Sequence, residues 1–399
     1  MNIILAAFVL VMFLVTTFIS VLNYNNRHGK LPESVKNIYD EEDYEEWHRY
    51  FMSKFKFGMI KKTFNTGIVL ILLIANSFIT FQNAISEFTS NDVFQLLIFI
   101  GMLNLLHIII NLPFKYYDTF VIEEKFGLNK TTKITFVTDL FKNLLEDVVL
   151  GGLILIGLAK LVGLFNNQLI YFVLSLWIFS ALLIVVMNFA SKFFTKIINK
   201  LSPLEEGSLK DKIKILSDKT GFDVKSIWVM DASKRSTRLN AMLMGFGKNK
   251  DIILYDTLIE KMPEEGIISV LAHELGHAAN KDTIKGIFDI ILKVGLYIVI
   301  LGLMLFYGNL GLGYTLISLI IIFKPLGILI GIAFNKRSRL AEYKADSYST
   351  LHTDKKHLID ALRVLAKENF ENLTPHPLFV KIRYIHPPIY QRIDALNNK

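Results

Sequence analysis

The sequence contains no cysteine among its 399 residues. This absence excludes disulfide bonds, thiolate nucleophiles and cysteine zinc sites, so any metal ligands must be histidine, aspartate or glutamate. Charged residues are also few, at 20% of the chain, whereas 52% of the residues are hydrophobic. A soluble domain of ordinary composition has about a quarter charged residues. The composition therefore predicts a mainly α-helical, multi-pass membrane protein, with the lipid bilayer as a partner.

Seven apolar segments are long enough to cross a bilayer as helices, which takes about 20 residues. They run from Ile3 to Leu22, Thr66 to Ile85, Phe94 to Leu112, Val148 to Phe165, Leu169 to Ala190, Ile287 to Tyr307 and Tyr314 to Phe334. The first has no charged region before it and no clear cleavage site. We therefore expect it to be retained as a span rather than removed as a signal peptide.

Lysine and arginine are unevenly distributed over the connections between these spans. The odd connections, residues 23–65, 113–147 and 191–286, are rich in both, whereas the even ones contain neither. Positive residues collect on the cytoplasmic side of a membrane, so the pattern predicts an outer amino terminus and a cytoplasmic carboxyl terminus. This topology explains the net charge of +8, and we expect no nucleic-acid partner.

Several polar residues fall inside the predicted spans, namely Asn76, Asn104, His107, Lys160, Lys293 and Lys324. Such groups are costly in lipid and usually face protein or water, so some of them are candidates to line an aqueous cavity. Lys160 and Lys293 lie near span ends, where snorkelling to the interface explains them. Snorkelling is a weaker explanation for Lys324, which precedes Pro325 near the middle of a span.

A helix predicted from Pro263 to Asn280 contains the sequence His-Glu-Leu-Gly-His. At about 3.6 residues per turn, His273 and His277 lie on one face of this helix, where both imidazoles can bind one zinc ion. Glu274 lies beside them and can take a proton from a zinc-bound water. The pattern is typical of metallopeptidases. The alternative is a metal-free pair of histidines on an amphipathic helix.

A zinc site with two histidines needs a third ligand. The sixth and seventh spans are predicted to form an antiparallel hairpin. Glu342 lies eight residues after Phe334, where the seventh span ends, and His277 lies ten residues before Ile287, where the sixth span begins. Because a helix has a constant rise per residue, the two side chains lie at similar distances from the membrane. We therefore predict that Glu342 completes a site for one zinc ion per chain. Asp346 lies one turn further on the same face and is predicted to accept a hydrogen bond from a ligating imidazole.

The predicted elements divide the chain into four regions. Residues 1–190 form a membrane region of five spans, 191–286 a small cytoplasmic α+β metalloprotease subdomain, 287–334 a transmembrane hairpin, and 335–399 the C-terminal helices and tail that complete the site. Within the subdomain we predict a helix from Ser208 to Thr220, a strand from Ser226 to Met230 and a hairpin of Leu239 to Phe246 with Ile252 to Tyr255. Beyond the last span, Ser338 to Leu351 and Asp354 to Asn369 are predicted helices, followed by an extended, proline-rich tail.

Further motifs occur in a fixed order along the chain. They include Tyr117-Asp-Thr-Phe-Val-Ile-Glu-Glu-Lys-Phe-Gly-Leu-Asn129, Ser202-Pro-Leu-Glu-Glu-Gly207, Asn240-Ala241, Ser338-Arg-Leu-Ala-Glu-Tyr-Lys-Ala-Asp346, and His386-Pro with Arg392 six residues on. With these motifs the chain resembles, over nearly its whole length, the type I CAAX prenyl proteases. These are integral-membrane zinc endopeptidases that trim isoprenylated proteins.

The resemblance implies a water-filled chamber between the spans, closed by the metalloprotease domain, and a peptide or protein substrate, prenylated or not. It implies that the substrate backbone pairs with an edge strand at Asn240 and Ala241. It also places His386 and Arg392 near the metal as catalytic residues, although the residues alone favour structural turns and a salt bridge there. Family members often have histidine where this chain has Arg238, which leaves the role of that position open.

Two alternatives remain. A quality-control protease of the heat-shock membrane metalloprotease type would share the chemistry, but such enzymes usually have fewer spans, and the terminal His-Pro motif argues against one. A non-enzymatic transporter or scaffold would use the charged intramembrane residues for a solute path. A site-two-type protease is set aside, because polar residues follow the histidines immediately. Compact loops and the absence of a terminal dilysine signal favour a bacterial cytoplasmic membrane over the endoplasmic reticulum.

Overall fold

The structure is a computed structural model that describes residues 1–165, 168–245, 249–308 and 311–398. Within these residues, seven helical segments are long and apolar enough to cross a membrane, which confirms the predicted number. The helices of the membrane region are α1 (Asn2–Asn25), α2 (Glu41–Ile74), α3 (Ser77–Phe88), α4 (Asp92–Tyr117), α5 (Lys133–Glu146), α6 (Gly152–Leu164) and α7 (Leu169–Ile198). Two π-helical turns, Asp118–Glu123 and Asp147–Gly151, extend α4 and join α5 to α6.

The second span differs from the prediction, which placed one continuous helix from Thr66 to Ile85. Helix α2 ends at Ile74, and α3 begins at Ser77 after Asn76, which has a left-handed backbone with φ of 55°. Asparagine tolerates this conformation better than most residues, and the Asn76 side chain accepts a hydrogen bond from Asn2 Nδ2 at 2.6 Å. Both helices are apolar, so hydropathy alone could not locate the break.

The last two spans are longer than predicted. Helix α11 (Asp282–Tyr307) is followed by α12 (Leu312–His352), which joins the predicted span and the predicted helix after it into one rod that contains Pro325. Helices α11 and α12 pack side by side, as the predicted hairpin requires. The carboxyl half of α12 therefore projects past the apolar segment toward the sheet and carries Glu342 with it.

A four-stranded sheet lies beside the metal-binding helix, in the order β1-β2-β4-β3. Its strands are β1 (Leu201–Pro203), β2 (Asp223–Met230), β3 (Ala241–Met244) and β4 (Asn249–Tyr255). Strand β4 pairs parallel to β2 and antiparallel to β3, with Ala241 opposite Leu254. The predicted hairpin is confirmed, although Phe246 lies outside the described residues. Strand β3 occupies one edge of the sheet.

The sheet shares a core with three helices, α8 (Ser208–Thr220), α9 (Asp256–Lys261) and α10 (Glu264–Ala279). Fully buried side chains at the centre of this core are Ile252, Leu254, Leu258, Leu271 and Ala272. Apolar burial at about 25 cal/mol per Å² is the main term that holds α10 in place. The helix that carries the two histidines is therefore fixed along its whole apolar side.

The chain ends in α13 (Lys355–Glu368), α14 (Pro377–Arg383) and α15 (Ile389–Asn397). The tail was predicted to be extended, but it forms the last two of these helices. Pro377 stands at a helix start, where proline is favoured, and the His376 side chain caps α14 by accepting from Leu378 N at 3.2 Å. Helices α13 and α15 pack on a core that includes Trp47 of α2, so the tail is firmly held.

Candidate metal centre

Close contact between α10 and α12 creates the site. Gly276 of α10 faces α12 so closely that a Cβ atom at this position would lie 2.9 Å from Ala345 Cα. One turn of α12 further on, the buried Ser349 hydroxyl donates a hydrogen bond to the Ser269 carbonyl at 2.8 Å. Because the two backbones approach without a side chain between them, the inner face of α12 reaches the histidines of α10.

The structure brings together the three residues that the sequence predicted as metal ligands. One ligand atom from each of His273, His277 and Glu342 lies within 4.8 Å of the other two. His273 Nε2 is 3.4 Å from Glu342 Oε2, and His277 Nε2 is 3.3 Å from Glu342 Oε1. The two imidazoles thus point the same type of nitrogen at one carboxylate.

Carboxylates on the far side of each imidazole set this orientation. His273 Nδ1 lies 2.9 Å from Asp346 Oδ1, as the sequence predicted, and His277 Nδ1 lies 3.0 Å from Asp282 Oδ2. An imidazole that donates from Nδ1 keeps the lone pair of Nε2 for a metal. Asp282 was not predicted from the sequence, where its only signal is a carboxylate three residues after the end of the helix. Lys281, with φ of 56°, turns the chain so that Asp282 faces His277.

Arg392 lies behind the ligands rather than at the open face. Its guanidinium donates to Asp346 from Nε at 2.9 Å and from Nη2 at 2.5 Å, and Nη1 lies 3.5 Å from Glu342 Oε2. The residue is 8% exposed, so little of its side chain is open to solvent. His386 is different, because its side chain is 60% exposed while Nδ1 lies 2.9 Å from Glu342 Oε1. Only His386 of this pair faces open space.

The electrostatics of the site favour a bound cation. Burial lowers the pKa of His277, but the Glu342 and Asp282 carboxylates outweigh burial and raise this pKa to about 9. The pKa of His273 is also raised, because Asp346 and Glu342 outweigh burial and the Arg392 charge. Glu342 Oε2 is buried and makes no hydrogen bond in the described part of the chain. Two imidazole nitrogens and a carboxylate oxygen are a donor set that suits zinc and leaves a fourth position open.

Glu274 and the edge strand complete the region. Glu274 is partly exposed, and its carboxylate has no hydrogen-bond partner among the residues that the structure describes, so it is available to a water molecule. Asn240 is exposed and Ala241 begins β3, which contacts α10. Asn369 fixes the entry to β3 by accepting from Leu239 N at 2.9 Å. A backbone edge is therefore held beside the histidine helix.

Arg238, where family members often have histidine, makes its side-chain contacts with residues of the membrane region. Its Nη2 donates to Tyr50 Oη at 2.9 Å and lies 3.6 Å from Glu123 Oε2. It links the start of β3 to α2 and to the π-helical turn after α4. The position thus serves to join the sheet to the membrane helices.

Comparison with known proteins matches nearly the entire chain. Residues 20–196 match the family model for the CAAX prenyl protease N-terminal region with five membrane helices, and residues 203–399 match peptidase family M48. CAAX prenyl protease 1 of Saccharomyces cerevisiae is 29% identical over 99% of this chain and 95% of its own length. The homologue from Oryza sativa subsp. japonica is 30% identical over 98% of this chain and 96% of its own.

The fold agrees with a solved relative. The crystal structure of S. mikatae Ste24p superposes with a TM-score of 0.91 at 27% identity and covers 99% of both chains. Seven membrane helices, the histidine helix and the matches to both family models point to the same class of enzyme. The chain therefore belongs to the type I CAAX prenyl proteases of peptidase family M48 and is a multi-pass membrane metalloendopeptidase.

Proposed function

We propose that the protein is a zinc-dependent endopeptidase, with one zinc ion per chain, that carries out CAAX-type C-terminal processing of prenylated or similar peptides. The convergence of His273, His277 and Glu342 within 4.8 Å carries this proposal, because it brings three metal-binding atoms from two helices to one point. The relatives that are named CAAX prenyl proteases support the substrate class.

The ligands would hold zinc, which supplies a water of lowered pKa and polarises the scissile carbonyl. Glu274 takes the proton of the attacking water and returns it to the leaving amine. His386 stabilises the negative charge that develops on the carbonyl oxygen, since it is the exposed imidazole at the open side of the ligands. Asp346 and Asp282 keep each ligating Nε2 unprotonated by accepting from Nδ1, and Arg392 positions Asp346.

The substrate backbone adds to β3 as a further strand, with Asn240 and Ala241 as its partners. In the described part of the chain β3 is an edge strand, and the Ala241 N–H, which donates to the Asn240 side chain at 3.0 Å, would exchange this partner for the substrate. Asn240 and Leu239 are already fixed, because Tyr255 N donates to the Asn240 carbonyl at 3.2 Å and Asn369 holds Leu239. A peptide bound in this way would pass beside the histidine helix.

The spans would enclose a polar chamber through which the peptide approaches. Between α2 and α4, Asn65 Nδ2 donates to Asn111 Oδ1 at 3.1 Å, and Asn111 Nδ2 donates to the His107 carbonyl at 3.0 Å. These polar side chains are partly exposed rather than packed in a core. Amide groups within apolar helices are stable where they meet water or each other, and this row supports an aqueous interior.

We further propose that the amino terminus lies outside and that the metal centre and carboxyl terminus are cytoplasmic. The bacterial cytoplasmic membrane is the proposed location, with the endoplasmic reticulum as the alternative. A chain without cysteine makes the orientation easy to test. An impermeant maleimide should label Ser90→Cys in intact cells and Lys219→Cys only after permeabilisation, and the reverse pattern would overturn the orientation.

The decisive test of the chemistry is Glu274→Gln. The variant should bind one zinc per chain like the wild type and lose hydrolysis of a farnesylated CAAX peptide, because the proton acceptor is gone. Glu264→Gln on the same helix, which removes a solvent-facing ion pair with Lys212, is the matched control and should keep activity. Full activity in Glu274→Gln would reject the assignment. Cleavage of an unfolded membrane protein in preference to the CAAX peptide would instead favour a quality-control protease.

A further inference from the structure

The chain that leads into β3 is paired with the rest of the sheet on one side only. The Arg238 carbonyl accepts a hydrogen bond from the Thr257 hydroxyl at 2.8 Å, and the Asn240 carbonyl accepts one from Tyr255 N at 3.2 Å. Both donors lie where β4 ends and α9 begins. Because the backbone groups of successive residues in a strand point to opposite sides, Leu239 presents its N–H and C=O to the side away from β4. We call this side the outer edge.

At the outer edge, the Asn369 side chain pairs with both backbone groups of Leu239. Its Oδ1 accepts from Leu239 N at 2.9 Å, and its Nδ2 donates to the Leu239 carbonyl at 3.3 Å. A side-chain amide carries an N–H donor and a C=O acceptor, as a peptide group does, so these two bonds imitate one residue of a neighbouring strand. The strand position opposite Leu239 is therefore filled before any substrate binds.

The turn at the end of α13 holds this amide in place. Asn369 caps the helix, and Phe370 after it has a left-handed backbone with φ of 55°, which is unusual for a bulky aromatic residue. The Trp47 indole donates to the Phe370 carbonyl at 3.2 Å, and the Phe370 ring meets the Tyr50 ring edge-on, with 5.3 Å between the centroids. Such a backbone persists only where surrounding contacts enforce it. Contacts with α2 therefore fix the position of Asn369 from outside the sheet.

Further along β3, the outer edge can accept a peptide. The Ala241 N–H donates to the Asn240 side chain at 3.0 Å, and this exposed side chain can exchange that bond for one to the peptide. Leu243 also faces the outer edge, because β3 keeps its register with β4 from Ala241 to Met244. A peptide that joins the edge therefore meets pairing positions at Ala241 and Leu243 and a filled position at Leu239.

We propose that Asn369 is a positioning residue that stops the substrate strand at Ala241 and so sets which peptide bond lies at the metal. The inference rests on the proposed function, because it requires the substrate to pair with β3. A strand can slip along an edge by two residues without turning its side chains to the other face. A slip of this kind toward Leu239 would place a different peptide bond beside the histidine helix. The Asn369 amide occupies the backbone groups that the slipped strand needs.

The first experiment identifies the bond that is cleaved. Zinc-loaded wild type and Asn369→Ala are incubated with a farnesylated CAAX peptide, and the products are identified by mass spectrometry. The wild type should cut one bond. Asn369→Ala should also cut a bond two residues away, with at least about a tenth of the total product, because the two registers then differ by about one hydrogen bond. Asn369→Asp, which keeps the acceptor for Leu239 N, should give less of the shifted product.

Asn372→Ala is the matched control. It removes a side-chain hydrogen bond to Thr374 N at 2.9 Å from the same segment and leaves the bonds to Leu239 in place, so it should cut the same bond as the wild type. A single, unshifted cleavage site in folded Asn369→Ala would overturn the inference, as would a wild type that itself cuts both bonds. A lower rate without any shifted product would show that Asn369 only supports the fold, and would overturn the inference as well.

A binding assay tests the same limit without changing Asn369. Farnesylated peptides, each N-methylated at one backbone nitrogen, are bound to zinc-loaded Glu274→Gln, and fluorescence anisotropy gives each dissociation constant. N-methylation should raise this constant about tenfold at two positions that lie two residues apart, opposite Ala241 and Leu243, and should have little effect opposite Leu239. A third sensitive position in this alternation would overturn the inference.

The inference and the proposed function can fail separately. Absence of cleavage by the zinc-loaded wild type would reject the proposed function, while the binding assay would still measure where the pairing stops. Dissociation constants that no N-methyl group changes would reject strand addition, and the inference with it. A single cleavage site in the wild type that shifts by two residues in Asn369→Ala would support both.

Discussion

The contact between His277 and Asp282 predicts how tightly the site holds zinc. Asp282→Ala removes the acceptor that lies 3.0 Å from His277 Nδ1, while the three ligands and Glu274 remain in place. Without this acceptor the imidazole is free to rotate and to carry its proton on Nε2, where it cannot bind metal. The variant should therefore bind zinc more weakly, although the same three ligands and Glu274 are still present.

The structure limits the size of the effect. Loss of a carboxylate that orients a ligating histidine typically costs 10- to 100-fold in metal affinity, or about 1.4 to 2.8 kcal/mol. The Asp282 side chain is 18% exposed, and Lys285 Nζ lies 3.5 Å from its other oxygen. Since water can replace part of the lost hydrogen bond, we expect the lower end, about a tenfold rise in the zinc dissociation constant.

A competition titration against a chromogenic chelator measures this constant directly. Hydrolysis at saturating zinc should recover most of the wild-type rate, because the variant lacks affinity rather than a catalytic group. Asp289→Ala is the control, since it removes an acid from the same helix that pairs with Arg337 at 2.6 Å and touches no ligand. A zinc dissociation constant in Asp282→Ala equal to that of the wild type would refute the claim that Asp282 orients His277 for metal binding.

Two further predictions concern the packing behind the ligands. Gly276→Ala inserts a methyl group against α12 and should destabilise the fold by about 1–3 kcal/mol and weaken zinc binding, whereas Gly286→Ala, which has open space around it, should melt like the wild type. Arg392→Met removes the cationic partner of the buried Asp346, which keeps its contact with His273 Nδ1, and should cost about 3–5 kcal/mol. The loss should appear as a lower melting temperature with zinc or with chelator, whereas Arg363→Met, which removes an exposed charge, should leave the melting temperature unchanged. Unchanged melting of Gly276→Ala or Arg392→Met would contradict the corresponding packing argument.

The sequence predicts the structure correctly where the information lies within one regular helix. The helix from Glu264 to Ala279 agrees with the prediction to within one residue at each end, because its apolar side and its start are local properties of the chain. The position of Glu342 beside the histidines could be predicted because an α-helix has a constant rise per residue. Residue counts along the two spans therefore give the distance of each residue from the membrane. The same reasoning failed at Asn76, since a single left-handed residue interrupts a span without changing its hydropathy.

The sequence by itself determined the number of spans, the helix face that His273 and His277 share and the distance of Glu342 from the membrane. All three follow from helical periodicity and length. Only the tertiary structure decided that Asp282 turns back onto His277 and that Arg392 lies behind the ligands. Each of these depends on a backbone turn or on the packing of elements that are distant in the sequence. Local patterns carry no information about such contacts, because they are set by how the whole chain packs.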